Sequence, residues 1–77
     1  MKDRILGQLR QINADADFES SADFIEDGLM DSFEIVNLVS GLEDTFSIEI
    51  SGRDIVPENF VNLSAIETMI RKYTGEK

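Results

Sequence analysis

The chain has 77 residues, seven basic and sixteen acidic, with no histidine and no cysteine, for a formal net charge of −9. That length allows one small domain over residues 1–77, and a domain this size buries only about 60% of its unfolded surface, too thin a core to enclose a deep active site. Without His or Cys the commonest general base, the commonest metal ligand and every disulfide are missing, and the acidity disfavours nucleic acid and anionic membranes while favouring partners with basic patches.

The first helical pattern runs from about Lys2 to Asn13, where Ile5, Leu9 and Ile12, with Leu6 beside them, form one apolar stripe. A polar stretch, Ala14 to Asp31, follows, with a turn at Gly28. Loops this long are uncommon in small domains unless they have a role, and Phe18, Phe24, Ile25 and Leu29 predict that this one packs across the bundle.

The second helix is expected to begin at Ser32, a favoured N-cap type, with Asp31 and Glu34 spaced as a capping-box variant. Ile35, Leu38, Val39, Leu42 and Phe46 make its inner stripe, and Gly41 inside it allows close helix packing at a cost of about 1 kcal/mol relative to Ala. Phe46 to Ile50 alternates like a strand but has no partner strand, so it reads as an extended link burying Ile48 and Ile50. A short third helix is expected between Ser51 and Phe60, where Pro57 divides it into two turns. The last helix should run from about Leu63 to Tyr73, capped by Asn62 and ended by Gly75, with Leu63, Ile66, Met69, Ile70 and Tyr73 on its inner face and Arg71 and Lys72 in its last turn. The fold class is therefore all-α, a small four-helix bundle of three main helices and a short one. No stretch reaches the roughly 20 apolar residues of a membrane span, and no signal peptide is visible; a cytoplasmic monomer is expected.

The charges are unevenly spread: no Lys or Arg occurs between Gln11 and Gly52, a stretch holding eleven of the acids. Within it, Ser32 stands where a loop meets a helix, and a helix start offers unpaired N–H groups and partial positive charge to a phosphate. No histidine can activate this serine as a nucleophile, and no Ser-Lys pair is evident, because the lysines are Lys2, Lys72 and Lys77. An unactivated hydroxyl at a helix start suits a substrate for another enzyme, or a plain helix cap.

The flanking residues favour the former. The run Asp27-Gly28-Leu29-Met30-Asp31-Ser32-Phe33 resembles the phosphopantetheine attachment motif of acyl and peptidyl carrier proteins, centred on Asp31-Ser32 and a bulky apolar residue, Phe33. Chain length, acidity, the long first loop, Phe24, the stripe ending at Phe46, Ile50 and the final helix extend the likeness over nearly the whole chain. The resemblance implies that a phosphopantetheinyl transferase places 4′-phosphopantetheine from coenzyme A on Ser32. The arm's thiol would then carry an acyl or aminoacyl thioester from a loading ligase to downstream enzymes with basic patches, the chain itself catalysing nothing. It also implies docking through the exposed face of the second helix: Phe33, Val36, Asn37, Ser40, Glu43 and Asp44. Gly28 lies four residues before the serine instead of three, and Asn37 and Ser40 stand where fatty-acid carriers tend to have an acid and a Met, which leans toward D-alanyl carriers and carriers of dedicated pathways. The expected metal set is none.

Two other readings compete. Asp23, Ile25, Asp27, Gly28, Asp31 and Glu34 fall at positions 1, 3, 5, 6, 9 and 12 of an EF-hand loop, although Ile25 offers no oxygen and no entering helix precedes the loop. An unmodified acidic adaptor could use the same second-helix face.

Overall fold

The computed structural model describes residues 1–75. Three α-helices follow one another, α1 (Lys2–Ile12), α2 (Ser32–Phe46) and α3 (Leu63–Thr74), with two 3₁₀ turns, Gly52–Asp54 and Pro57–Asn59, between the last two. Among the described residues there is no strand. The segment between Ser51 and Phe60 thus forms two separate 3₁₀ turns that part at Pro57, as expected, and among the described residues the α-helices number three, not four. The cause is local: Val56 precedes a proline and sits extended at φ −127°, ψ 150°, because an α-helical backbone there would clash with the Pro57 ring.

The core forms where the helical stripes meet. Ile5, Leu6 and Leu9 of α1, Ile35, Leu38, Val39 and Leu42 of α2, and Ile66, Met69 and Ile70 of α3 are all buried together. At Gly41 a Cβ would collide with Gln8 Oε1, and Gln8 instead reaches over the glycine to donate to Thr45 Oγ1 at 2.9 Å. The missing side chain leaves room for the Gln8 amide to lie across α2. Arg4 lies over the half-buried Phe46 ring, 5.7 Å from its centroid.

The long loop is part of this core. Phe18 and Phe24 are buried edge to face with centroids 5.0 Å apart, and Ile25 and Leu29 pack against the cluster half-buried. Met30 is buried as well, a position the polar character of the stretch conceals. Phe24 N–H donates to Val61 O at 2.6 Å, and the Phe24 carbonyl accepts from Leu29 and Met30, so the loop's backbone is bonded both to itself and to the approach of α3. Asn62 caps α3 through a 2.8 Å bond from Ala65 N–H to Oδ1, and its amide Nδ2 donates back to Ala22 O. In the 46–50 link Ile50 is buried and Ile48 half-buried. Gly75 ends α3 at φ 77°, with Arg71 and Lys72 in its last turn.

The Cα radius of gyration is 11.3 Å, against about 11.5 Å for a compact chain of this length.

Candidate functional site

Ser32 is exposed at the first position of α2, and no side chain among the described residues bonds its hydroxyl. It is not the cap. Asp31 takes that place, its Oδ1 accepting from Glu34 N–H at 2.9 Å while Glu34 Oε1 accepts from Asp31 N–H at 3.1 Å. The reason is that a capping box needs the glutamate three positions after the cap, and Asp31–Glu34 has that spacing whereas Ser32 would need an acid at Ile35. The cap therefore leaves the serine hydroxyl unused. The N–H groups of Ser32 and Phe33, first in the helix, have no intrahelical acceptor.

Ser32 lies between two shallow hollows. One, about 390 Å³, is bordered by Ile25, Gly28 and Met30 from the loop, by Asp31, Ser32, Glu34 and Ile35 from α2, and by Pro57. The other, about 220 Å³ and mainly apolar, runs between Ser32, Ile35 and Val36 on one side and Ile55, Val56 and Pro57 on the other. The 55–57 segment is thus a neighbour of the serine that sequence reasoning missed. Its Ile-Val-Pro composition, apolar ahead of a proline turn, was the available signal.

The remaining expected residues divide by position. Phe33 and Val36 are the exposed large hydrophobic side chains of the described chain, at 83% and 59% of full exposure. Val36 therefore does not belong to the core edge. Asn37, Ser40 and Asp44 are exposed along α2. Glu43 is half-buried and turned toward the link, where its Oε2 accepts from Ile50 N–H at 2.8 Å. Asp27 and Gly28 are exposed on the loop; Gly28 turns the chain at φ 75°, a left-handed value that glycine adopts without strain, and Asp27 Oδ2 accepts from Ser21 Oγ at 2.6 Å.

The carboxylates of the 23–34 stretch do not converge. Asp23 Oδ1 accepts from the N–H groups of Ile25 and Glu26, both at 3.0 Å, Asp27 is held by Ser21, and Asp31 and Glu34 are occupied with the capping box. No group of three acids among the described residues could hold one metal ion, which sets the EF-hand reading aside. No helix of the described residues is long and apolar enough to cross a membrane.

No protein-family model matches the chain, and no solved structure matches it. Aminoacyl carrier protein 1 of Bradyrhizobium diazoefficiens is 35% identical to it over 66 residues, which are 86% of this chain and 72% of the relative. With a relative this similar over most of both chains, and an all-helical fold that leaves a serine exposed at the head of α2, this protein belongs to the acyl carrier protein family.

Proposed function

We infer that this protein carries an acyl or aminoacyl group on a 4′-phosphopantetheine arm esterified to Ser32 Oγ. The single observation that carries the reading is the serine hydroxyl itself, exposed one residue inside α2 and spared by the Asp31 cap. The residues fit the group: the N–H groups of Ser32 and Phe33 point out of the helix start, where they can donate to a phosphodiester, and the α2 dipole favours its negative charge. When bound, the arm supplies the thiol that this cysteine-free chain lacks.

The chain's own contribution is presentation. The capping box holds the first turn of α2 rigid, and the packed loop holds the approach to it. With no histidine in the sequence and no lysine near Ser32 along it, the hydroxyl depends on a transferase for the base that removes its proton. Partner enzymes dock around the serine on the exposed part of α2, with Phe33 and Val36 as the apolar centre. The name of the relative favours an aminoacyl cargo.

The test is covalent. Incubated with coenzyme A, magnesium and a broad-specificity phosphopantetheinyl transferase, the protein gains the mass of one phosphopantetheine, and Ser32→Ala gains none. An unchanged wild-type mass, or a modified Ser32→Ala protein, overturns the assignment and leaves the acidic adaptor as the reading to pursue. Ser32 is exposed and alanine is a better helix former, so the control folds.

A further inference from the structure

The wall that faces Ser32 is lightly held. Ile55, Val56 and Pro57 close the 220 Å³ apolar hollow against Ser32, Ile35 and Val36. The chain that carries them is anchored by buried Ile50 before it and buried Phe60 after it, and no residue from 51 to 59 is buried. Its turns close on themselves: Asp54 N–H donates to Ser51 O at 2.9 Å and Ile55 N–H to Gly52 O at 3.1 Å, then Asn59 N–H to Val56 O at 3.0 Å and Phe60 N–H to Pro57 O at 2.9 Å. Between the turns, Ile55 and Val56 have non-helical backbones at φ −85°, ψ 70° and φ −127°, ψ 150°. Burial this slight, with hydrogen bonds this local, belongs to a segment that can open without unpacking the core.

The segment is tied to the bundle at Tyr73, near the end of α3. Tyr73 OH accepts from Ser51 N–H at 3.0 Å and donates to Asp54 Oδ2. Asp54 O accepts in turn from Asn59 Nδ2 at 2.8 Å, so the second turn is bonded to the residue that Tyr73 holds. Asp54 directly precedes Ile55, and the phenol therefore fixes the near end of the wall although Tyr73 does not line the hollow.

We propose that residues 51–59 form a strap that swings away from Ser32 as a unit, pivoting at Ile50 and Phe60, and that the bonds of Tyr73 OH to Ser51 and Asp54 are the latch that holds it shut. Opening breaks the latch and parts Ile55–Pro57 from Ile35 and Val36, which widens the hollow while the three helices keep their packing. Tyr73 and Asp54 are positioning residues, acting on the space beside Ser32 through the wall. The device belongs to the unmodified chain, so it stands or falls separately from the carrier reading.

Native-state hydrogen exchange of the full chain, followed by NMR at low urea concentrations, reads the opening amide by amide. In wild type the Asp54, Ile55, Asn59 and Phe60 amides exchange faster than those of Leu38 and Val39 in α2, with a weaker dependence on urea, because the opening exposes less surface than global unfolding. Tyr73→Phe removes the latch from the closed state, and the strap amides speed up by about three- to tenfold. Ile5→Val, a change in the buried face of α1, speeds the Leu38 and Val39 amides and leaves the strap amides as they were. In this cysteine-free chain an Ile55→Cys variant reports the wall directly: adding Tyr73→Phe raises the rate at which a thiol reagent labels it, by the same factor as the strap amides. Strap amides that follow Leu38 and Val39 in urea or in Ile5→Val show that the segment opens only with the whole molecule, and overturn the proposal. Strap amides or a thiol that keep their rates in Tyr73→Phe show an opening that leaves the clasp intact, and overturn it equally.

Discussion

Ser47 closes α2 with its backbone at φ 54°, ψ 47°, the one non-glycine residue of the described chain in the left-handed region. An L-residue there is strained by its Cβ against the carbonyl by about 1 kcal/mol, and glycine is the usual occupant of a helix C-terminus of this form. Ser47→Gly keeps the cap bond from its N–H to Glu43 O, relieves the strain, and returns part of the gain as added freedom of the unfolded chain. We expect stabilisation by about 0.5–1 kcal/mol, seen as a rise in Tm of roughly 2–8 °C in a circular dichroism melt. Glu43 shows the same economy. Its carbonyl accepts from Ser47 and Ile48 while its side chain accepts from Ile50, so one residue stops the helix and anchors the link. That explains why an acid on the outward side of α2 by spacing is withdrawn from the exposed surface.

At the scale of elements, α2 owes its start to the reciprocal bonds of Asp31 and Glu34. Asp31→Ala removes the acceptor for Glu34 N–H and releases the glutamate. The expected loss is about 1 kcal/mol, read as a lower urea midpoint with an unchanged m-value. Since Ser32 is the next residue, a frayed first turn also loosens the hydroxyl proposed to take the arm. The capping box was legible in the spacing of an Asp and a Glu before an apolar stripe; which of two adjacent cap-type residues would take the position was decided by where the glutamate could reach. The 51–60 segment is the opposite case. Pro57 announced a break, but the two turns owe their form to what they serve: Asn59 Nδ2 donates to Asp54 O at 2.8 Å, and Phe60 is fully buried beneath them.

Across the whole molecule, a clasp joins α3 to the first 3₁₀ turn. Tyr73 OH donates to Asp54 Oδ2 and accepts from Ser51 N–H at 3.0 Å. The bond to Asp54, then partial burial, raises the phenol's pKa above its ordinary value. Below about pH 10 the phenol is protonated in folded and unfolded chains alike. Above that, the unfolded chain ionises first while the native one must hold its proton, so stability falls as pH rises toward the raised native value. Denaturant unfolding between pH 9 and pH 11 should show this decline, and Tyr73→Phe should remove its tyrosine-dependent part while lowering stability at neutral pH. Loss of stability in that window with equal slope in Tyr73→Phe would mean that other groups govern it.

By themselves, the residues along the chain determined the three amphipathic helices, the Asn62 and Gly75 ends of α3 and the serine at the loop–helix junction, because each rests on spacing within a few positions of one another. The acid-rich loop, too, declared through Phe18 and Phe24 that it must reach the core. Only the tertiary structure decided which acids stay available: Asp23, Asp31, Glu34 and Glu43 turn to backbone N–H groups, while Glu26 stays exposed on the loop. It alone brought Ile55–Pro57 against the serine. The physical reason is range: helix periodicity and caps are set by neighbours in the chain, whereas a carboxylate's availability and a hollow's walls depend on which distant backbone the packed core brings within hydrogen-bonding reach.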